Sequence, residues 1–321
     1  MFGFGSIGCA AVGEIDPVFL DSPALPCAPL GRVLGCSVTL KVETLNPVRS
    51  FKGRGTETVT AAARAQGAAR VVCASAGNLG QALAYSGSRR GLTTTVVAAR
   101  TASPLKLRQI ADLGAEVRLD GEDIEDARLL ARELAEADSS YLVEDSLDLA
   151  TCEGAATIGL ELVRDDPAPD VVLVALGGGA MASGIGYVMR ALAEHVEVIG
   201  IQPAGAPAMA LSWRRGTVVE TDRIETIADG VAGRCPIPKV LDDLLVVLDD
   251  VVLVGEDSIK TGMRALHEHA GLVVEPSAAL GIAAVLEQPE RFAGRRVTMV
   301  LCGSNVGPAD FARWVLEPSA R

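Results

Sequence analysis

The stretch VVLVALGGGAMASGIGYVM, residues 171–189, decides the fold class. Its first six residues are apolar, which is typical of a strand that is buried on both faces of a sheet. The glycines at 177–179 allow a tight turn, and the small apolar residues after them suit a helix that packs closely on that sheet. A strand, a glycine turn and a helix in this order predict one unit of an α/β protein.

By length alone, the same stretch could cross a bilayer, because it carries no charged residue. Five glycines interrupt it, however, and Asp170 and Arg190 bracket it. A buried strand, a turn and a packed helix explain this pattern better than a membrane span does.

Similar units recur along the chain. Short β-branched runs alternate with Ala-rich helical stretches, which predicts open, mostly parallel sheets with helices on both faces. The predicted strands are residues 38–42, 71–74, 94–98, 116–119, 171–175, 196–201 and 297–302. The predicted helices are residues 57–68, 81–90, 104–113, 122–136, 152–163, 181–193, 258–269 and 276–286.

Composition and charge narrow the function classes. The chain has 321 residues, of which 49% are hydrophobic, and its net charge is −12 with a pI of about 4.8. A surface this acidic repels phosphate backbones and anionic lipid, so we expect neither nucleic acid nor a membrane as partner. Any anionic ligand must then be held by a local device such as a helix N-terminus.

The cysteines and the N-terminus indicate the compartment. Seven cysteines are scattered without CxxC pairs, which fits a reducing environment better than a disulfide framework or a zinc site. The first residues, MFGFGS, lack a basic region followed by an apolar core, so no signal peptide is predicted. We therefore expect a cytoplasmic protein.

Two loops at predicted strand ends have the composition of anion sites. GGGA at 177–180 opens a helix, whose free N–H groups and partial positive charge suit a phosphate. SAGN at 75–78 also opens a helix, and its hydroxyl and amide suit a carboxylate. The alternatives are an ordinary tight turn at the first loop and an ordinary helix cap at the second.

Lys52 lies in SFKGRG at residues 50–55 and is one of five lysines in a chain with 24 arginines. Where nearly every cation is arginine, a lysine beside an aromatic residue and two glycines indicates that amine chemistry is needed. Arginine neither forms an imine nor gives up its proton, whereas a buried lysine can do both. The alternative is a solvated lysine at the start of a helix.

Taken together, these segments resemble the fold-type II pyridoxal-phosphate enzymes, and within them the serine/threonine dehydratase branch. The resemblance covers nearly the whole chain, and its segments follow the order of the family. These segments are KVE at 41–43, NP at 46–47, SFKGRG at 50–55, SAGN at 75–78, PLK at 104–106, LGAEV at 113–117, GGGA at 177–180, TIADGVA at 226–232, VEPS at 274–277 and CGSN at 302–305.

The resemblance implies two open, twisted, mostly parallel sheets with helices on both faces and an active site in the interdomain cleft. It implies a large cofactor-binding domain of residues 1–46 and 147–321, and a small mobile domain of residues 47–146. Lys52 would hold pyridoxal 5'-phosphate as a Schiff base and act as the catalytic base. The other cofactor-binding residues would be Asn78, Gly177, Gly178, Gly179, Ala180, Met181, Gly230, Glu275 and Cys302. The substrate-binding residues would be Ser75, Ala76, Gly77 and Asn78.

The activity implied is β-elimination from a β-hydroxy L-amino acid, such as L-serine or L-threonine, to give a 2-oxo acid and ammonia. Cys302 would face the pyridine nitrogen as a neutral thiol, which favours prompt elimination; the alternative is a small buried residue at a strand end. Ala76 stands where related serine racemases carry a second serine, so racemisation should be weak.

Three other functions remain open from the sequence. A cysteine-synthase-like enzyme would add a nucleophile in β-replacement, a racemase would invert the α-carbon, and a non-catalytic relative would bind an amino acid without using Lys52. Gln202 and Ala208 stand where metal-activated relatives have acidic ligands, so no metal site is expected. A homodimer or higher homo-oligomer is expected, with the small amino acid as the other partner.

Overall fold

A computed structural model describes residues 9–164 and 167–317; the segment MFGFGS, on which the signal-peptide prediction rests, lies outside them. The described residues form a six-stranded sheet of order β1-β2-β10-β7-β8-β9 and a four-stranded sheet of order β5-β4-β3-β6. The strands are β1 (Ala24–Pro26), β2 (Ser37–Val42), β3 (Arg70–Ala74), β4 (Thr93–Ala98), β5 (Glu116–Leu119), β6 (Tyr141–Leu142), β7 (Val171–Ala175), β8 (Glu197–Pro203), β9 (Asp250–Val254) and β10 (Arg296–Leu301).

Helices connect most of these strands. They are α1 (Cys9–Glu14), α2 (Ala28–Leu34), α3 (Lys52–Ala65), α4 (Asn78–Arg89), α5 (Pro104–Asp112), α6 (Ile124–Asp138), α7 (Leu149–Leu162), α8 (Ala180–Leu192), α9 (Ala208–Arg215), α10 (Pro238–Val247), α11 (Glu256–Ala270), α12 (Leu280–Glu287), α13 (Pro289–Phe292) and α14 (Pro308–Phe311). Short 3-10 turns lie at Pro17–Phe19, Asp229–Val231 and Pro276–Ala279, and a π-helical turn covers Ala312–Leu316.

The prediction of two mostly parallel sheets is confirmed. Within the described residues, every strand pair is parallel except β1 with β2. Strand β7 lies between β10 and β8, and all five of its residues are buried. Its continuous apolar sequence is therefore what a strand covered on both faces requires. Among the described residues, none of the helices could span a lipid bilayer.

The two sheets come from different parts of the chain. The four-stranded sheet uses strands from residues 70–142, whereas the six-stranded sheet uses strands before residue 43 and after residue 170. Each sheet packs its own apolar clusters. The division into domains of residues 47–146 and of residues 1–46 with 147–321, and the mobility of the smaller one, stay predictions.

Helix α3 begins five residues earlier than the sequence pattern predicts, at Lys52 itself. Glycines normally weaken a helix, so the pattern favours a loop across Gly53 and Gly55. Both are instead needed for close packing. A Cβ on Gly53 would lie 2.1 Å from the ring of Phe19, and one on Gly55 would lie 2.9 Å from the carbonyl oxygen of Thr151.

Candidate active site

The predicted loops follow the carboxyl ends of three strands. SAGN at 75–78 follows β3 of the small sheet, while GGGA at 177–180 and Cys302 follow the neighbouring strands β7 and β10 of the large sheet. Parallel sheets bind ligands at this edge. A hydrogen bond of 2.9 Å from Asn78 Nδ2 to Glu275 Oε1 joins the end of the small sheet to the large one. The site therefore lies between the two sheets.

The glycine turn leads into helix α8 with backbone that other residues rarely adopt. Gly179 has a φ of +110° and forms the N-cap, and a Cβ there would lie 2.5 Å from the side chain of Val240. The first N–H groups of the helix, on Ala180 and Met181, have no acceptor within the helix. The Ala180 N–H instead donates to Ser146 Oγ at 3.2 Å. Residues 177–180 thus form a small, crowded cup, the glycine cup, that presents backbone N–H groups.

Lys52 is the first residue of α3, and its amine forms an ion pair with the carboxylate of Asp145. The amine also lies 4.6 Å from the centre of the Phe51 ring. The lysine side chain is 17% exposed, so it is reachable from the cleft but largely enclosed. The Phe51 N–H donates to the carbonyl oxygen of Cys302 at 3.0 Å, which fixes the start of α3 against the end of β10.

Glu275 is a buried carboxyl at the centre of the site. Besides Asn78, it accepts a hydrogen bond of 3.1 Å from the Asn305 N–H, and Asn305 Nδ2 donates to Asn78 Oδ1 at 2.8 Å. Burial raises the pKa of Glu275 to about 7, with a further contribution from the negative charge of Asp229. A Cβ on Gly303 would lie 2.6 Å from this carboxyl group, so the glycine is needed there.

Cys302 is fully enclosed at the end of β10. Burial, followed by the nearby Glu275, raises the pKa of its thiol well above the usual range. The thiol is therefore neutral at physiological pH. This agrees with the neutral thiol that the sequence predicts at Cys302.

These contacts form a closed ring around the cleft. Lys52 contacts Asp145, and the next residue, Ser146, contacts the cup. The cup contacts the Gly230 turn, where a Cβ on Gly177 would lie 3.3 Å from the Gly230 carbonyl oxygen. A Cβ on Gly230 would in turn lie 3.2 Å from Glu275 Oε1. From Glu275, the contacts continue to Asn305 in the 302–305 segment, and Cys302 of that segment contacts Phe51, the residue before Lys52.

The structure thus brings the predicted cofactor residues together, which the sequence could not show. Asn78 joins the ring directly, and Ser75, Ala76 and Gly77 join it through Asn78. These three are half-buried, and a Cβ on Gly77 would meet no atom within 4 Å. Their roles in binding remain predictions.

Sequence reasoning missed Asp145 and Ser146. They lie in the link between β6 and α7, where EDSLD looks like an ordinary acidic helix start. Their backbone is held by the first turn of α7, because Thr151 Oγ1 donates to the Asp145 carbonyl oxygen and Cys152 Sγ donates to that of Ser146. No local signal in the sequence reveals contacts to Lys52 and to the cup.

A buried charge network lies beside the lysine. The guanidinium of Arg54 forms a bidentate ion pair with the Glu43 carboxylate, at 2.8 and 2.9 Å. It also donates hydrogen bonds to both carboxylate oxygens of Glu161. Lys41 is the second cation of the network and pairs with Glu161. Arg54 is fully buried, and its two carboxylate partners are nearly so. The network balances two positive with two negative charges and ties α3 to β2 and α7.

Replacing Glu275 by glutamine should change how stability depends on pH. A carboxyl whose pKa is raised in the folded protein binds its proton more tightly there, so it costs stability as pH rises from about 4.5 to 7. Relative to the Glu275→Gln variant, the wild type should lose about 3 kcal/mol of unfolding free energy between pH 4 and pH 8. Urea unfolding at both pH values measures this. The control variant Glu290→Gln, at an exposed position, should show the same pH dependence of unfolding free energy as the wild type. If the unfolding free energies of wild type and Glu275→Gln changed equally with pH, the raised pKa of Glu275 would be contradicted.

The residues that form this ring of contacts around the cleft fit pyridoxal phosphate. Among the described residues, the buried atoms Ser277 Oγ and Asn305 Oδ1 have no hydrogen-bond partner, and both lie beside Glu275. Buried polar atoms usually have partners, so two unpaired ones at one place indicate a polar ligand. The cup at 177–180 could hold the phosphate and Lys52 the aldehyde carbon, with Cys302 as the neutral residue at the ring nitrogen.

The side chain of Gln202 forms a hydrogen bond within the protein. Gln202 is buried at the end of β8, and its Oε1 accepts a hydrogen bond of 2.9 Å from the Ala210 N–H in the first turn of α9. The side chain is therefore already committed to a helix start. Over residues 9–164 and 167–317, no group of three or more His, Cys, Asp or Glu side chains could hold a metal ion.

Known proteins are similar to this chain over most of its length. Residues 15–303 match the family model described as "Pyridoxal-phosphate dependent enzyme". L-threonine ammonia-lyase of Thermotoga maritima is 34% identical over 285 residues, which cover 86% of this chain and 69% of that relative. Phenylserine dehydratase of Ralstonia pickettii is 33% identical over 283 residues, with 88% and 86% covered. The structure of maize serine racemase is similar at a TM-score of 0.89 and 25% identity, covering 95% of this chain and 94% of the racemase.

The family match covers the segments on which the resemblance rests, from KVE at 41–43 to the first two residues of CGSN at 302–305. The two sheets have the arrangement of the solved relatives, and the curated relatives are named as lyases and dehydratases. This chain belongs to the pyridoxal-phosphate dependent enzymes.

Proposed function

We propose that the enzyme catalyses β-elimination of a β-hydroxy L-amino acid, such as L-serine or L-threonine, to a 2-oxo acid and ammonia. The ring of contacts that joins Lys52 to the glycine cup and to Cys302 carries this proposal. The names of the relatives, which include a threonine ammonia-lyase and a phenylserine dehydratase, agree with it.

Lys52 is the general base in this proposal. Its amine lies at the start of a helix whose position is fixed by the Phe51 contact to Cys302 and by the Arg54 network. A base must be held within hydrogen-bond reach of the proton that it removes, and these contacts hold Lys52 in one place. When bound, pyridoxal phosphate supplies an electron sink for the negative charge that develops at the α-carbon.

The loop at 75–78 binds the α-carboxylate in this proposal. It ends at the start of α4, where free N–H groups carry partial positive charge. The open space at Gly77 allows a ligand to approach the backbone. Asn78 is held by Glu275 and Asn305, so its side chain is positioned before any substrate arrives.

Racemisation should be weak, although a serine racemase is among the similar structures. Inversion needs a proton donor on the face of the α-carbon opposite Lys52, and the methyl group of Ala76 has no proton to exchange. Incubation with L-serine should give pyruvate much faster than D-serine. Chiral chromatography measures both products, and faster formation of D-serine would contradict the role given to Ala76.

A product assay tests the proposed function itself. The loaded enzyme should release ammonia and the matching 2-oxo acid in equal amounts from L-serine, L-threonine or an arylserine. Added sulfide should leave ammonia release unchanged, because the proposed reaction needs no second substrate. If sulfide suppressed ammonia release and cysteine formed instead, the reaction would be β-replacement. A change in the absorbance of the cofactor on adding an amino acid, without any product, would indicate a non-catalytic protein.

We also propose a cytoplasmic homodimer or higher homo-oligomer. Six cysteines are free thiols in the structure, which suits a reducing compartment: Cys27, Cys36, Cys73, Cys152, Cys235 and Cys302. Light scattering after size-exclusion chromatography measures the mass of the particle in solution. A mass of 33.2 kDa, which is that of one chain, would contradict the proposed oligomer.

A further inference from the structure

We propose that Asp145 determines substrate specificity by excluding amino acids whose side chain carries a negative charge. This inference rests on the proposed function and narrows it. Serine, threonine and arylserines would remain substrates, whereas a β-hydroxyaspartate would not. The sequence leaves all of them open, because they share the same α-carbon and the same leaving group.

The position of Asp145 follows from its contact with Lys52. The two side chains form an ion pair, so the carboxylate is adjacent to the amine that removes the α-proton. That proton lies within about 3 Å of the amine during the reaction. The β-carbon is bonded directly to the α-carbon, so the substrate side chain must lie close to Asp145. The Asp145 side chain is 26% exposed, which leaves it accessible from the cleft.

The carboxylate is also held in place. Thr151 Oγ1 donates to the carbonyl oxygen of Asp145, and the adjacent Ser146 is fixed to Ala180 at the cup. The link between β6 and α7 therefore has little freedom to withdraw the charge when a substrate enters. An anionic side chain would meet a fixed negative charge rather than a flexible one.

The cations at the site do not offset this charge. Lys52 is committed to the cofactor and to proton removal in the proposed function. Lys106, on α5, pairs with Asp229 beside the Gly230 turn. Glu275, which is buried beside Asn78 and Asn305, supplies no positive charge either. A second substrate carboxylate would therefore meet a carboxylate where it needs a cation, and partly buried like charges repel strongly.

The test compares two ligands that differ only in charge, threo-3-hydroxyaspartate and threo-3-hydroxyasparagine. Stopped-flow absorbance of the bound cofactor gives their dissociation constants, and release of oxo acid gives kcat/KM. The wild-type holoenzyme should prefer the amide by about 10- to 100-fold. Asp145→Asn should remove most of this preference by improving binding of the acid.

Glu144→Gln is the matched control, because it removes one negative charge from the neighbouring residue, which pairs with Arg132 on the surface. It should keep the wild-type preference. A second variant, Asp145→Ser, repeats the loss of charge with a shorter side chain. An unchanged preference in both Asp145 variants, or equal binding of the two ligands by the wild type, would overturn the proposal.

Two further outcomes have distinct meanings. If the Asp145 variants no longer retain the cofactor, Asp145 holds Lys52 rather than selecting substrates, and the proposal is overturned. If the wild type binds both ligands but releases no oxo acid from any amino acid, the proposed β-elimination fails. In that case the ratio of dissociation constants still decides the role of Asp145, so the two failures are distinguishable.

Discussion

Replacing Lys52 by alanine is expected to abolish the visible absorbance of the bound cofactor and to reduce turnover by at least about 10³-fold. Both effects have one cause, because the variant lacks the amine that holds the cofactor and removes the α-proton. Folding should be retained. The Lys52 side chain is 17% exposed and lies at the cleft, where its amine contacts Asp145 and the Phe51 ring, so its loss leaves no cavity in the core.

Lys260→Ala is the matched control for this variant. Lys260 lies on the surface of α11, where it pairs with the exposed Asp257 at 3.5 Å. This variant should keep the absorbance spectrum and the activity of the wild type. Circular dichroism checks that both variants are folded. Retained turnover in Lys52→Ala would contradict the assignment of Lys52 as the base.

Replacing Arg54 by methionine should destabilise the protein by about 3–5 kcal/mol, because it leaves buried charges without their partner. Glu43 and Glu161 would then share Lys41 as the remaining cation of the network. Methionine fills much of the space, so lost charge pairing rather than a cavity would cause the effect. We expect a fall of roughly 10 °C in the melting temperature.

Arg164→Met provides the comparison at the surface. Arg164 pairs with Asp21 at 2.8 Å, but the two side chains are 64% and 76% exposed. Such exposed pairs contribute about 0–1 kcal/mol, so this variant should melt close to the wild type. Equal melting temperatures for both variants would show that the buried network contributes no more than a surface pair.

The parts of the site that the sequence predicts are those with local patterns. The 177–180 turn is read correctly because a buried strand, three glycines and a helix follow one another directly. Lys52 is found because its neighbours 50–55 form a contiguous motif and because lysine is rare in this chain. Gly230 and Glu275 are predicted only through the resemblance, since nothing in their local sequence indicates a common site.

What the sequence misses depends on contacts between distant segments. Gly53 and Gly55 look like loop residues, although they allow α3 to pack against Phe19 and Thr151. Glu161 looks like an ordinary helical glutamate, yet it completes the charge network of Arg54. Strand β9 is missed because it follows the apolar helix α10 after only two intervening residues, and periodicity does not separate such runs.

Asp145 illustrates the same limit at the site itself. It is 93 residues from Lys52 in the sequence, and the acidic stretch around it indicates only a helix start. Its contact with the amine arises because the link leads from β6 of the small sheet to α7, which packs against α3. Chemistry that depends on such a contact is visible only in the folded chain.

Mapping the lysine that carries the cofactor shows directly whether Lys52 forms the Schiff base. The loaded enzyme is reduced with borohydride, digested and analysed by mass spectrometry, which identifies the lysine that is joined to the pyridoxyl group. The structure and the motif predict modification at Lys52. Modification at another of the five lysines, or none at all in an enzyme that remains active, would contradict this role of Lys52.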